Sequence, residues 1–358
     1  MSDRLVGTLC DMVRIDSESG KEERFISYLK KLFETEFGAK CSLDDYGNLV
    51  ATLSARDSCR PPVLFGCHAD TVSPGIGIEP VIEDGVIRAK SDTILGADDK
   101  AGIAELVEAI RIADRHPPLE IVVTREEEMG LGGSRNLDFS LLTARMGFIL
   151  DGDTLDSVII GGPSHILIDV EISGKAAHAG MEPEKGISAI KAASRGVCLL
   201  QEGRIDDETT VNVGIIRGGE VRNSVPSTTQ VNLECRSLSH EKCIAQGELI
   251  ADVFHVAARA MGARAKVKSE LAYRAVSIPE TAEVVRIAKR GVSSLRIDPQ
   301  VRVIRGGTDA SIYNEKGIQS VVIGTGAQAE HTTAECIAVS DMEKAVRIIR
   351  HILHDTSV

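Results

Sequence analysis

The chain has 358 residues, of which 43% are hydrophobic and 26% are charged, a balance typical of globular proteins. Its 41 basic and 53 acidic residues give a net charge of −12, which repels phosphate backbones, so we expect no nucleic-acid partner. No apolar run is long enough to span a membrane, and the acidic N-terminus does not resemble a signal peptide. These features together predict a cytoplasmic protein without a membrane partner.

The length exceeds what a single hydrophobic core usually organises, so we expect two domains. The eight cysteines are scattered along the chain, and no pair of them has C-x-x-C spacing. In a chain of this length, that pattern favours reduced thiols over a disulfide framework or a thiolate zinc site.

The first part of the chain alternates helical and strand-like segments. Apolar residues recur at helical spacing over 22–38 and again over 98–114. The segments 62–67, 119–124 and 147–150 are almost continuously apolar, as expected of strands that helices cover on both faces. This alternation predicts an α/β fold with a doubly wound sheet.

The pattern changes near residue 164. From there, several segments alternate apolar and polar residues with a period of two, and two amphipathic helices, over 186–201 and 243–262, are interleaved with them. Their order, βαββαβ, predicts an inserted α+β domain of ferredoxin-like topology over 164–271. After about residue 275 the first pattern returns, so we assign 1–163 and 272–358 to one α/β domain that the insertion interrupts.

Polar residues follow the strand-like segments of the α/β domain. They are His68 and Asp70 after 62–67, Glu126, Glu127 and Glu128 after 119–124, Asp151 after 147–150, and His331 after 320–324. Asp98 and Asp99 stand at the start of the second predicted helix. Open α/β sheets bind ligands beyond the carboxyl ends of their strands, and acids collected there repel one another unless cations lie among them. The sequence therefore predicts a site for divalent cations.

Each of these residues also has a structural explanation of its own. An isolated His-x-Asp occurs by chance, and the run of glutamates could be a solvated helix start. Asp98 could cap the helix that follows it, and Asp151 could be a turn residue. What favours a shared site is that His68, the glutamates, Asp151 and His331 all fall at the carboxyl ends of strands in one predicted sheet, with Asp98 at the start of a helix of the same domain.

The motifs HAD, GADDKAG, TREEEMG, LDGD and AEHTTAE occur in the order and contexts found in the co-catalytic zinc exopeptidases. This superfamily includes peptidase T, aminoacylase and succinyl-diaminopimelate desuccinylase. The stretches LGADDKAGIAEL and RGGTDAS most resemble peptidase T. The resemblance covers essentially the whole chain. It implies that the α/β domain holds a dinuclear metal site and that the insertion is a lid and dimerisation domain.

The resemblance also implies a role for each residue at the predicted metal site. Asp98 would bridge two metal ions. His68 and Asp151 would complete the ligands of one ion, and Glu128 and His331 those of the other. Histidine nitrogens and carboxylate oxygens without a thiolate suit zinc, and they also accept cobalt or manganese.

By the same resemblance, Glu127 is the general base for attack by a metal-bridging hydroxide. Its neighbour Glu128 points the other way in an extended chain, so Glu127 is free for this task. Asp70 would lie behind His68 and fix its tautomer.

Four residues complete the predicted site. The resemblance makes His178 a lid residue that stabilises the oxyanion, in some members of the superfamily across a dimer interface. Asn223 and Arg236 resemble the residues that bind the substrate carboxylate, and Arg305 is a further candidate. Read without the resemblance, His178 is a loop histidine and the others are surface polar residues.

The implied activity is that of an aminopeptidase that hydrolyses short peptides, in particular tripeptides. An N-acyl amino acid deacylase or a carboxypeptidase of the same superfamily would use the same metal site, so that alternative stays open. A metal-binding scaffold without activity is a second alternative, but it would have no need of Glu127. A nucleotide-dependent dehydrogenase is not indicated, because no G-x-G-x-x-G follows a predicted strand. The implied partners are a small peptide and, through the inserted domain, a second copy of the chain.

Overall fold

The computed structural model describes residues 2–358. Its helices in this range are α1 (Ser2–Val13), α2 (Glu23–Phe37), α3 (Ala97–Ile112), α4 (Gly132–Arg135), α5 (Ala189–Leu199), α6 (His240–Ala260), α7 (Glu283–Ser293), α8 (Asp309–Glu315) and α9 (Val339–Asp355). Its strands are β1 (Lys40–Leu43), β2 (Leu49–Leu53), β3 (Val63–His68), β4 (Pro80–Glu83), β5 (Val86–Ala89), β6 (Leu119–Thr124), β7 (Met146–Gly152), β8 (Ser157–Gly162), β9 (Ser164–Ser173), β10 (Gly203–Arg204), β11 (Thr209–Gly218), β12 (Thr228–Ser237), β13 (Arg264–Tyr273), β14 (Val276–Ser277), β15 (Gln300–Val303), β16 (Gln319–Gly324), β17 (Ala327–Gln328) and β18 (Cys336–Ala338).

The chain divides into two compact units. The described part of unit 1 comprises residues 2–161 and 277–358, and unit 2 comprises residues 162–276. The sequence placed the inserted domain at 164–271. Each helix within residues 2–358 is too short or too polar to cross a membrane.

The main sheet of unit 1 has the strand order β1-β2-β6-β3-β7-β16-β8-β14, with β15 beside β8. Strand β3 is parallel to both β6 and β7, and β16 is parallel to β7. Every residue of β3 and β6 is buried, which is expected of parallel strands between helical layers. The predicted α/β class is confirmed, and the carboxyl ends of these four strands lie at one edge of the sheet.

The two helices that apolar spacing predicted in this domain are present as α2 and α3. Helix α2 buries the apolar stripe around Phe25 and Leu29, and it ends where Gly38 adopts a left-handed conformation with φ +63°. Helix α3 is buried along most of its length and ends at Ile112, two residues before the predicted end. A second small sheet, β17-β18-β5-β4, was not predicted, because its strands have only two to four residues and carry little periodicity.

Unit 2 contains one antiparallel sheet in the order β10-β11-β12-β9-β13. Ile166, Ile168, Val170 and Ile172 of β9 are buried, and Asp169 and Glu171 between them are exposed, as the alternation predicted. Helices α5 and α6 contribute Ala192 and Phe254 to the hydrophobic core. Helix α6 begins at His240, earlier than the predicted start, because the Ser239 hydroxyl caps it by accepting the Lys242 N–H.

Candidate metal centre

His68 is the last residue of β3, and its side chain is only 1% exposed. Its Nε2 lies 3.1 Å from Asp98 Oδ1 and 3.6 Å from Asp151 Oδ1. Asp151 lies near the end of β7, the strand that pairs with β3. The parallel arrangement of β3 and β7 therefore brings these two predicted residues to one place.

The other oxygen of Asp98 faces a second pair of predicted residues. Asp98 Oδ2 lies 3.2 Å from His331 Nε2, and that nitrogen is 2.8 Å from Glu128 Oε1. One ligand atom each of His68, Asp98 and Glu128 lie within 4.8 Å of one another. Asp98 thus stands between the two histidines, with one carboxylate oxygen toward each.

The backbone presents Asp98 in an unusual way. The Asp98–Asp99 peptide bond is cis, and both residues have non-helical dihedral angles although they lie within the bounds of α3. The Asp99 carboxylate turns back and accepts the backbone N–H of His68 at 3.1 Å. Asp98 is therefore not a simple helix cap, which was the structural alternative for this residue.

Asp70 is fully buried behind His68 and joins several parts of the site. Its carboxylate accepts the backbone N–H of Glu127 at 2.9 Å and that of Glu128 at 3.2 Å, together with the Ser19 hydroxyl at 2.7 Å. His68 Nδ1 is 3.0 Å from the Asp70 carbonyl oxygen and 3.4 Å from its carboxylate. When Nδ1 donates its proton to that carbonyl, the lone pair of Nε2 faces the Asp98 carboxylate, which has no proton to give, and is available to a metal ion.

The loop after β6 is held from outside the site. Arg125 Nη2 pairs with Glu22 and Glu23 at 2.7 Å each, and the Tyr46 hydroxyl donates to Glu126 Oε2 at 2.6 Å. Arg125 and Glu126 are thereby engaged in structural contacts. Glu128, by contrast, contacts His331 at the site, and Glu127 lies close enough to Asp151 for that charge to add to burial in raising its pKa.

Carboxylates crowd this centre. Burial, with the charge of Asp98 adding to it, raises the pKa of Asp151 to about 7. Burial and Asp151 likewise raise the pKa of Glu127 well above its usual value. Hydrogen bonds with Asp98 and Glu128 raise the pKa of His331 to about 10. Negative charge here exceeds what the histidines neutralise, which is the situation that bound cations relieve.

The donor set fits divalent metal ions. Two imidazole nitrogens and three carboxylates converge without a thiolate, a combination that suits zinc and also cobalt or manganese. The residues that could hold them are His68, Asp98, Glu128, Asp151 and His331.

Three other predicted residues lie in unit 2. His178 is exposed, and its Nδ1 accepts the N–H groups of Gly180 and Met181 at 3.2 Å each. The backbone carbonyl oxygen of Asn223 accepts the Ala179 N–H at 3.0 Å, which places Asn223 next to the loop of His178. The fold of unit 2 thus brings His178 and Asn223 together.

Arg236 lies apart from that pair, on β12. Its Nη2 is 3.0 Å from Glu234 Oε2, and the same oxygen is 3.0 Å from His165 Nε2. The fourth candidate, Arg305, is exposed in the segment of unit 1 between β15 and α8.

Sequence reasoning missed three acids near the centre. Glu335 accepts backbone N–H groups of the Asp98 segment, and burial together with the charges of Asp98 and Asp151 raises the pKa of Glu330 to about 8. Asp309, buried, is hydrogen-bonded to the Thr124 hydroxyl at 2.5 Å. All three belong to motifs that carried the family resemblance, AEHTTAE and RGGTDAS, which was the available signal.

Two family profiles match the chain. The profile described as peptidase family M28 matches residues 48–159, and the M20 profile described as the peptidase dimerisation domain matches residues 163–262. The first range contains all the predicted metal-site residues except His331. The second lies within unit 2.

The chain is also similar to individual proteins over its whole length. The uncharacterized protein YqjE of Bacillus subtilis strain 168 is 36% identical over 367 residues, covering 99% of this chain and 98% of YqjE. The crystal structure of aminopeptidase PepT from Bacillus cereus ATCC 10987 is 36% identical, with a TM-score of 0.88 over 100% of this chain and 99% of that one. The crystal structure of a tripeptidase from Staphylococcus aureus subsp. aureus Mu50 is 32% identical, with a TM-score of 0.92 over 100% and 99%.

The fold and these matches place the chain among hydrolases that act on peptide bonds. The chain belongs to the peptidase T-like members of the M20 zinc exopeptidase superfamily. The resemblance inferred from the motifs is thereby confirmed.

Proposed function

We propose that this protein is a metal-dependent aminopeptidase that releases the N-terminal residue of short peptides, tripeptides foremost. The observation that carries the proposal is the position of Asp98, with one oxygen toward His68 and the other toward His331. Full-length similarity to an aminopeptidase PepT and to a tripeptidase supports the substrate class.

We further propose that the centre holds two divalent ions, zinc with cobalt or manganese also suited. His68 and Asp151 would hold one ion, and Glu128 and His331 would hold the other. Asp98 would be a ligand of both ions. When bound, such ions lower the pKa of a water molecule and polarise the scissile carbonyl.

Glu127 is the proposed general base. Its backbone N–H is fixed by Asp70 at 2.9 Å, while its carboxylate makes no hydrogen bond or ion pair within residues 2–358. A carboxylate so placed can take a proton from the attacking water and pass it to the leaving amine nitrogen. Glu128, the next residue, contacts His331 and belongs to the proposed ligands instead.

The residues of unit 2 would act on the substrate. His178 would donate a hydrogen bond to the developing oxyanion, and Asn223 and Arg236 would bind the peptide carboxylate, with Arg305 of unit 1 as a further candidate. We also propose a cytoplasmic homodimer that forms through unit 2. The match of residues 163–262 to a peptidase dimerisation domain supports the dimer.

The test is a substrate panel run on metal-loaded and chelated enzyme. We expect tripeptides with a free N-terminus to be cleaved, their N-acetylated counterparts to be poor substrates, and chelation to abolish turnover. Zinc, cobalt or manganese should restore activity to the chelated enzyme. Turnover of N-acyl amino acids without turnover of peptides would replace the aminopeptidase by the deacylase alternative. A metal-loaded protein inert on the whole panel would favour the scaffold.

A further inference from the structure

Glu335 is a buried acid next to the metal centre that the proposed chemistry does not use. It is 2% exposed. Its Oε2 accepts the backbone N–H of Gly96 at 2.7 Å, and its Oε1 accepts that of Asp98 at 3.0 Å. Both carboxylate oxygens are therefore engaged with the segment that carries Asp98.

That segment needs an external partner. Gly96 is left-handed with φ +70°, and Asp98 has φ −81° and ψ 105°, so neither residue continues a helix. The first N–H groups of a helix lack partners within the helix, and a buried N–H without a partner is destabilising. Glu335 supplies the acceptor at the residue whose carboxylate stands between the two histidines.

The backbone of Glu335 belongs to the turn that carries His331. The Thr332 hydroxyl donates to the Ala329 carbonyl at 2.6 Å and accepts the Ala334 N–H at 3.2 Å. The Glu335 N–H closes the turn by donating to the Thr332 carbonyl at 3.1 Å. His331 lies inside this turn with φ +61°. The position of Glu335 is thus tied to that of His331.

We propose that Glu335 is a positioning residue that fixes Asp98 relative to His331, so that one Asp98 oxygen faces each half of the metal centre. This role rests on the proposed metal centre. It requires a carboxylate, because both acceptor oxygens are used, and a glutamine would place its NH₂ group against a backbone N–H. Removing a residue that hydrogen-bonds to a metal ligand or to its backbone typically lowers the metal affinity by about 10- to 100-fold.

Glu120 provides a matched control. It is also buried, at 4% exposure, and its carboxylate accepts the backbone N–H groups of Thr143 at 3.0 Å and Ala144 at 2.9 Å. It lies near the amino end of β6, whereas the proposed ligands lie beyond the carboxyl ends of the strands. Glu120→Gln removes the same kind of buried carboxylate without touching the segment of Asp98.

The experiment compares wild type, Glu335→Gln and Glu120→Gln by titration of the metal-free proteins with Co²⁺, followed by visible absorption, and by thermal unfolding without metal. We expect both variants to unfold at lower temperature than wild type. Only Glu335→Gln should bind Co²⁺ at least about tenfold more weakly, with a changed absorption spectrum. Should Glu335→Gln fail to fold, Glu335→Asp keeps the charge but is one methylene too short for both N–H groups, and it should show the same defect.

Wild-type Co²⁺ affinity and spectrum in the Glu335 variant would overturn the positioning role, as would equal weakening in Glu120→Gln. These readouts need no substrate, so a wild type that binds Co²⁺ but cleaves no peptide would refute the aminopeptidase and leave this role standing. A wild type that binds no Co²⁺ would refute the metal centre and this role together.

Discussion

The two units place their polar residues differently. In unit 1, β3 and β6 are buried along their whole length, and the site residues stand at or beyond the ends of the strands. In unit 2, β9 alternates buried and exposed residues, so polar side chains lie along the strand itself. A parallel strand between two layers of helices has no face exposed to solvent. An antiparallel strand with one exposed face can carry polar residues at every second position along its length. A polar residue at the end of a fully buried strand is therefore the stronger indication of function.

The largest effect that this contrast predicts is at Glu127, just beyond β6. We expect Glu127→Gln to lower kcat by about 10³-fold, because general base catalysis typically contributes about 10²- to 10⁴-fold. Metal content should stay at the wild-type level, since Glu127 is not among the proposed ligands. Steady-state kinetics and metal analysis of the same preparation check both points. Turnover within a few-fold of wild type would remove Glu127 from the mechanism.

The next effect concerns unit 2. His178→Ala should lower kcat by about 10²-fold, the typical loss of one hydrogen bond to an oxyanion, without lowering metal content. His255, an exposed histidine of α6, gives the matched control, and His255→Ala should leave kcat unchanged. Loss of metal in the His178 variant would show that the residue acts at the metal centre instead.

The last prediction concerns stability instead of turnover and compares one acid from each unit. Glu105 of α3 is 0% exposed, and neither of its carboxylate oxygens has a hydrogen-bond partner within residues 2–358. Burial, with the charges of Asp99 and Asp341 adding to it, raises its pKa well above the usual value. The carboxyl therefore takes up a proton on folding, and its contribution to stability falls as the pH rises above the unfolded pKa.

We therefore expect Glu105→Gln to become more stable relative to wild type as the pH rises, by at most about 1.4 kcal/mol per pH unit. Urea unfolding at about pH 5 and about pH 8 measures the difference. Glu171→Gln, on the exposed face of β9, is the control, and its effect should stay within about 0.5 kcal/mol at both pH values. An equal effect of Glu105→Gln at the two pH values would contradict the expectation.

Much of the fold could be predicted because it is encoded in local spacing. The apolar stripe of α2 and the alternation of β9 each lie within a single segment, and the left-handed Gly38 marks where α2 ends. The small second sheet could not be predicted, because its shortest strands have two or three residues and are defined by their partners alone. The start of α6 could not be predicted from apolar spacing, because the three residues before Cys243 join the helix through the Ser239 cap and not through an apolar stripe.

The sequence by itself determined the fold class, the longer helices and strands of both domains and the set of residues at the strand ends, since periodicity and motif order are properties of neighbouring residues. Only the tertiary structure decided which oxygen of Asp98 faces which histidine and which acid holds Asp98 in place. Asp98 and Glu335 are 237 positions apart, and no local pattern reports a hydrogen bond over that separation. Chain folding brings such pairs together through the packing of the whole sheet, and for that reason the contact of Glu335 with Asp98 was found only in the structure.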